Sequence, residues 1–198
     1  MTTLRLQLSQ EPEADALLSR DPFALLLGML LDQQIPMEKA FRGPQVLRER
    51  IGHDLDAAEL TAREDLPELF AQQPAIHRFP GSMAGRVQEL CRHLVEHHGG
   101  RAQDVWEGVA SGSELLQRLQ ALPGFGEQKA RIFLALLGKQ CGVRPRGWRE
   151  AAGEYGDDGA LRSIADVTSP DTLLQVRAHK QSVKAAAKAT RTAGRGTA

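Results

Sequence analysis

"LPGFGEQKARIFLALLG", Leu122 to Gly138, sets a proline and two glycines directly before an amphipathic run. Glycine reaches φ > 0 without steric cost, so Gly124 and Gly126 flanking Phe125 predict a bend shaped by the backbone itself. Just upstream, "SELLQRLQAL" spaces Leu115, Leu116, Leu119 and Leu122 as one face of a helix. The unit reads helix, tight hairpin, helix. Its second helix opens with bare N–H groups directed into the bend, an arrangement suited to an anion. The same pattern also serves as a plain connection between two helices.

Outward from this unit, helical signals dominate. Asp21 as a cap and Pro22 at the first position open "DPFALLLGMLLDQQIPMEKAF". The nearly unbroken apolar run from Phe23 to Leu31 predicts a helix buried on most sides, ended or kinked at Pro36. A helix is expected near Met37 to Ile51, one or two short ones between Ala57 and Gln73, and a loop over "RFPGS" at Arg78 to Ser82. The next helix starts at about Met83 and closes on Gly99 and Gly100. A short helix near Gln103 to Gly108 leads into the hairpin unit. Beyond Gly138 follow a glycine-rich loop enclosing one short helix, then helices near Ala160 to Asp166 and Ser169 to Thr190. "TLRLQL", Thr3 to Leu8, is the one candidate strand. The expected class is all-α, with no internal repeat.

Composition bounds the function classes. The chain has 198 residues, with 41% hydrophobic, 25% charged and only 5% aromatic side chains, the profile of a globular helical protein. Cys91 and Cys141 stand in no ligand-like spacing, which argues against a disulfide framework or a cysteine cluster and for a reducing compartment. No leader pattern and no membrane-length apolar run is seen, so a cytoplasmic protein without a membrane partner is expected. His93 and His97 have a spacing that can bind zinc, but no third ligand follows, and a solvated helix face is the plainer reading. Net charge is zero yet uneven. Arg177, Lys180, Lys184, Lys188, Arg191 and Arg195 form a basic terminus without acids, leaving 19 basic against 25 acidic residues in the rest. A basic edge at helical spacing fits either a solvated helix end or a nonspecific contact with a nucleic-acid backbone.

"LQALPGFGEQKARIFLALLG" resembles the helix-hairpin-helix of the HhH-GPD superfamily of base-excision DNA glycosylases. "FALLLGMLLDQQIPMEKAF" is similar to that family's first buried helix, which carries a glutamine where Gln34 stands. "FPGSMAGRVQELCRHLVEHHGG" resembles the loop and helix that follow it. These ordered matches run from about Asp21 to Gly138. The resemblance implies a two-lobed all-α fold in one domain over residues 1–190. Its helical bundle lobe covers about 21–138, its second lobe comes from 1–20 plus 139–190, and 191–198 form a flexible basic tail. It also implies a monomer that binds double-stranded DNA. The backbone around Leu122, Gly124, Phe125, Gly126, Gln128 and Lys129 would hold a phosphate, with a structural cation at the hairpin and added charge from Lys129 or Arg131. Gln34 would fill the gap left by a flipped nucleotide, and Phe79 would act as a wedge, its alternative being a core aromatic.

Two departures shape the expected chemistry. Gln128 stands where lyase members carry an imine-forming lysine, and Lys129, one position on, is turned about 100° away. The family's acting aspartate lies about twenty residues past the hairpin, where "GVRPRGWRE" has none and Arg146 falls near the place. The family's iron–sulfur cysteines are absent too. Asp32 is the first candidate to supply the carboxylate, with Asp157, Asp158 and Glu150 behind it. The expectation is a monofunctional glycosylase without metal or cofactor. The rivals are a non-catalytic DNA-binding module on the same fold and a helical protein-interaction domain.

Overall fold

The computed structural model describes residues 5–193, with side chains described as far as Ala186. Ten α-helices lie among the described residues, together with three short 3-10 turns. In chain order they are α1 (Pro12–Arg20), α2 (Pro22–Leu31), α3 (Met37–Ile51), α4 (Ala57–Ala62), α5 (Leu66–Ala71) and α6 (Pro80–His98). Then follow α7 (Gly112–Ala121), α8 (Glu127–Gln140), α9 (Trp148–Ala152) and α10 (Pro170–Ala193). The all-α class stands. Among the described residues none is long and apolar enough to cross a membrane.

The candidate strand does not form over the described Arg5 to Leu8. Leu6 and Leu8 are buried as an extended cover, and Leu6 N–H donates to Ser19 Oγ of α1 (2.9 Å) instead of to a neighbouring strand. Among the described residues an isolated β-bridge joins Ser111 to Arg146.

At the centre lies α2. Asp21 caps it, accepting from Phe23 and Ala24 N–H, and every residue from Phe23 to Leu31 is buried. A helix apolar all round has to be enclosed on all sides, and α1, α3 and α6 pack around it. The crossing of α2 and α3 is made close by a glycine on each helix. A Cβ on Gly28 would meet the Phe41 ring at 2.7 Å, and one on Gly43 would meet Leu31 at 2.5 Å. The helix does not run to Pro36 as predicted; it stops at Leu31, and Pro36 caps α3 instead. The groups that claim its last carbonyls explain the early stop, as described below.

Three other boundaries moved. Pro80 is already helical, so the loop before α6 ends at Phe79, the N-cap. Proline at a first turn loses no hydrogen bond, which favours the earlier start. Ser111, rather than a later residue, caps α7 by accepting from Glu114 N–H (3.2 Å). Gly138 does not end α8; it lies inside, where the Trp148 ring of α9 occupies the space of a Cβ. Gly112 plays the same part in α7, its absent Cβ making room for Gly147 O (2.5 Å) and Trp148 Cα (2.6 Å). The closing Gly99 and Gly100, both at positive φ, fall where the sequence put them. The helical end of α10 reaches Ala193; the side chains of Lys188 and Arg191, and all of 194–198 with Arg195, lie outside the described residues.

One apolar cluster of buried residues joins these helices. Cys91 is buried within α6 and Cys141 sits half-buried at the end of α8; burial pushes both thiols up to about 12. The Gly112 contact generates a test. Because backbone rather than a flexible tip fills the space, Gly112→Ala should destabilise the fold by about 1–3 kcal/mol. Gly81→Ala, with open space around it in α6, should be neutral or slightly stabilising. Thermal or urea unfolding of the two variants measures both.

Candidate site at the C-terminal end of α2

The hairpin between α7 and α8 is built as the sequence suggests, but its two glycines differ. Gly124 has φ +83, and a Cβ there would meet Leu30 Cδ1 of α2 at 2.6 Å. Gly126 is extended (φ −68, ψ 171), caps α8 without any side-chain hydrogen bond, and faces open space. Only the first glycine is demanded by backbone conformation; the second leaves the helix N-terminus uncovered. Leu122 and Phe125 are buried, Phe125 edge-on to Phe133. Leu122 O already accepts from Phe125 N–H (3.1 Å).

From this hairpin a single side chain reaches back to α2. Lys129 Nζ donates to Met29 O (2.8 Å), Leu30 O (2.9 Å) and Asp32 O (3.4 Å), and lies 5.8 Å from the Phe125 ring centroid. The last carbonyls of a helix lack intrahelical partners and carry the negative end of the helix dipole, so an ammonium suits them well. Gln33 Nε2 adds a further bond to Leu30 O (3.1 Å). Burial pushes the Lys129 ammonium down to about 8; Arg86 and Lys180 push the same way, while the Asp32 carboxylate pulls against them. Lys129 therefore caps a helix end, and its amine is not directed toward the hairpin N–H groups.

Asp32, the C-cap of α2, keeps only 15% of its side chain exposed, with Lys180 of α10 at 3.9 Å. Gln34 lies just past the helix in a left-handed backbone conformation (φ 57), exposed to solvent rather than within a buried helix. A non-glycine residue held there is uncommon. Gln33 is tied down on both sides: its carbonyl meets His77 Nε2 (2.9 Å), and its side-chain oxygen accepts from Arg86.

No local sequence signal sets His77 apart from the other histidines. Its Nδ1 accepts from Phe79 N–H (3.1 Å) while Nε2 faces the Gln33 carbonyl, an arrangement that fits the neutral ring protonated on Nε2. Burial holds its pKa below the ordinary imidazole value, aided by Lys39 and Arg86. Phe79, pinned at the backbone this way, is 46% exposed, with the Arg78 guanidinium 5.3 Å from its ring centroid. Nothing but geometry reveals this link, since Gln33 and His77 are forty-four positions apart.

Asp32, Gln34, Phe79, Lys129 and the hairpin thus gather around one helix end. The other carboxylates lie elsewhere. Asp158 pairs with Arg149 (2.7 Å), whose hydrogen bond holds its carboxyl below the usual range. The Asp157 carbonyl accepts from Lys139, and Glu150 is exposed on α9. Arg146 is exposed too. Gln128 Nε2 donates to Tyr155 Oη (2.9 Å) at a cleft of about 450 Å³ that Glu127, Arg131, Ala152 and Glu154 also line. Arg131 pairs with Glu127 at 2.9 Å. His93 stacks near His97 and His98, but among the described residues no group of three or more acidic, histidine or cysteine side chains could hold a metal. Comparison with family models, with curated proteins and with solved structures finds no match to this chain.

Two outcomes follow from this geometry. Lys129→Met leaves carbonyls at the end of α2 without a donor and should cost about 2 kcal/mol near pH 7. The ordinary lysine value is 10.5 and the folded value about 8, so between them the unfolded chain holds more protons. Wild type should therefore gain stability as pH rises from 8 toward 10.5, a gain absent from Lys129→Met; urea unfolding across that window measures it. Separately, Gly124→Ala should cost about 1–2 kcal/mol for its positive φ, while Gly126→Ala should change stability by less than about 1 kcal/mol.

Proposed function

We propose that the chain is a DNA-binding base-excision repair protein of the HhH-GPD type, a monofunctional DNA glycosylase that hydrolyses the N-glycosidic bond of a damaged or mismatched base. The observation that carries this reading is the convergence of the hairpin, Asp32, Gln34 and Phe79 on the C-terminal end of α2. Excising a base from a duplex needs a phosphate grip, something to occupy the vacated stack, and a negative charge beside the sugar. The uncovered start of α8 supplies the grip. Phe79, exposed beside Arg78, and Gln34, held outward, supply the second need. Asp32 supplies the third.

In the reaction the C1′–N bond breaks, its electrons leave with the base, and positive charge develops on the sugar. The Asp32 carboxylate stabilises that charge and accepts the proton of the water that attacks C1′; the departing base takes up a proton. The product is an intact abasic site. No imine route is available, because Gln128 has no amine and the Lys129 ammonium is engaged by three carbonyls. The protein acts as a monomer without a cofactor, and the acidic part of the chain meets DNA through local basic groups such as Arg78 and Arg86, aided by Lys180 of the basic terminus.

The test is a panel of duplexes carrying uracil, alkylated, oxidised and mismatched bases, read with and without alkaline cleavage. Strand cleavage that appears only after alkali, lowered at least a hundredfold in Asp32→Asn without loss of duplex affinity, is the expected result. Gly126→Ala should weaken binding to all sequences alike, because phosphate contacts carry no base information. Tight binding with no release anywhere in the panel would favour the non-catalytic module. Strand cleavage without alkali would overturn the monofunctional assignment.

A further inference from the structure

The helix α10 is thinly attached. Leu173 and Val176 are its buried apolar side chains, and every residue from Lys180 to Ala186 is exposed. Two ion pairs tether it further along: Arg177 with Glu38 in the first turn of α3, and Lys180 with Asp32 (3.9 Å). Arg177, Lys180 and Lys184 are three and four residues apart and share one helix edge. The basic partners are the wetter ones, about 40% exposed, against 26% for Glu38 and 15% for Asp32. Pairs of this kind are weak and screened by salt. Glu38 Oε2 is moreover enclosed with no hydrogen-bond partner, the one such side-chain atom among the described residues. Lifting α10 away would let water reach it, which offsets part of the cost of opening.

A duplex presents a negative charge about every 1.7 Å along its axis, far more than the two carboxylates offer. We propose that the Arg177–Lys180–Lys184 edge of α10 is a docking surface for the duplex phosphate backbone, latched in the free protein onto Glu38 and Asp32. Docking then transfers the two cations to phosphates and frees the Asp32 carboxylate. Binding and exposure of the site become one event. This coupling rests on the DNA-binding reading above, but not on base release.

A double-mutant cycle on the full chain tests it, using fluorescence anisotropy with a lesion-free duplex. The four proteins are wild type, Asp32→Asn with Glu38→Gln, Arg177→Gln with Lys180→Gln, and all four substitutions together. In the wild-type background, removing the two carboxylates should tighten binding about three- to tenfold, because the basic edge no longer has to leave its partners. Without Arg177 and Lys180 that gain should fall below about twofold, and the salt slope should drop by roughly two. The same gain in both backgrounds would mean simple relief of charge repulsion and would overturn the latch. If a fourfold variant does not melt cooperatively, the Glu38→Gln and Arg177→Gln cycle replaces it with the same criterion. A non-additive cycle with no base release sinks the enzymatic reading and leaves the latch; an additive cycle with base release does the reverse.

Discussion

A lysine ammonium buried on the carbonyls that end a helix holds this fold together at the place that matters. α2 is apolar on every side and has no side chain of its own to close its C-terminus except Gln33. Lys129 comes from α8, a hundred residues later in the chain, to complete the job. The contact fixes how far α2 runs, how closely the hairpin approaches Leu30, and where Asp32 emerges. A buried ammonium has a desolvation cost, and the lowered Lys129 value records it. Three carbonyls, the Phe125 ring and the Asp32 charge offset that cost only in part, which is why the value stays lowered.

From that fixed point the rest of the site is assembled by short relays rather than by one element. Gln33 bonds back to α2, His77 reads the Gln33 carbonyl, and Phe79 hangs on His77. Each link is a directional hydrogen bond, so the exposed Phe79 ring is positioned through the backbone, not by packing. Protonation of His77 would remove the acceptor that Phe79 N–H uses, making this relay the acid-sensitive part of the site. The close glycine contacts of Gly112 and Gly138 with α9 are a separate piece of packing, joined to the segment before α9 by Gly112 N–H donating to Arg146 O (2.8 Å) and Arg144 Nε donating to Gly138 O (2.8 Å).

Local signals made much of the fold legible in the sequence. Asp21, Gly99 and the leucines of α7 act on their nearest neighbours, and caps and periodicity are nearest-neighbour properties. The helix-hairpin-helix unit was visible for the same reason. What escaped was tertiary. The early end of α2 depends on Lys129; the interior position of Gly138 depends on Trp148; and the failure of Arg5 to Leu8 to pair as a strand reflects the lack of a partner. The sequence marks Asp32 as a candidate carboxylate and Arg177 and Lys180 as part of a basic edge, but nothing local marks Glu38. Only their meeting across α2, α3 and α10 gives them a joint meaning.

The state of the two thiols has a practical consequence. With both held near 12 by burial, on the order of one molecule in 100,000 carries a given thiolate at pH 7. Alkylating reagents act on the thiolate, so burial slows the reaction of Cys91 and Cys141 with a maleimide on the folded protein. A single cysteine introduced at an exposed position such as Val183 would then react ahead of both native thiols and serve as the attachment point for a dye or spin label.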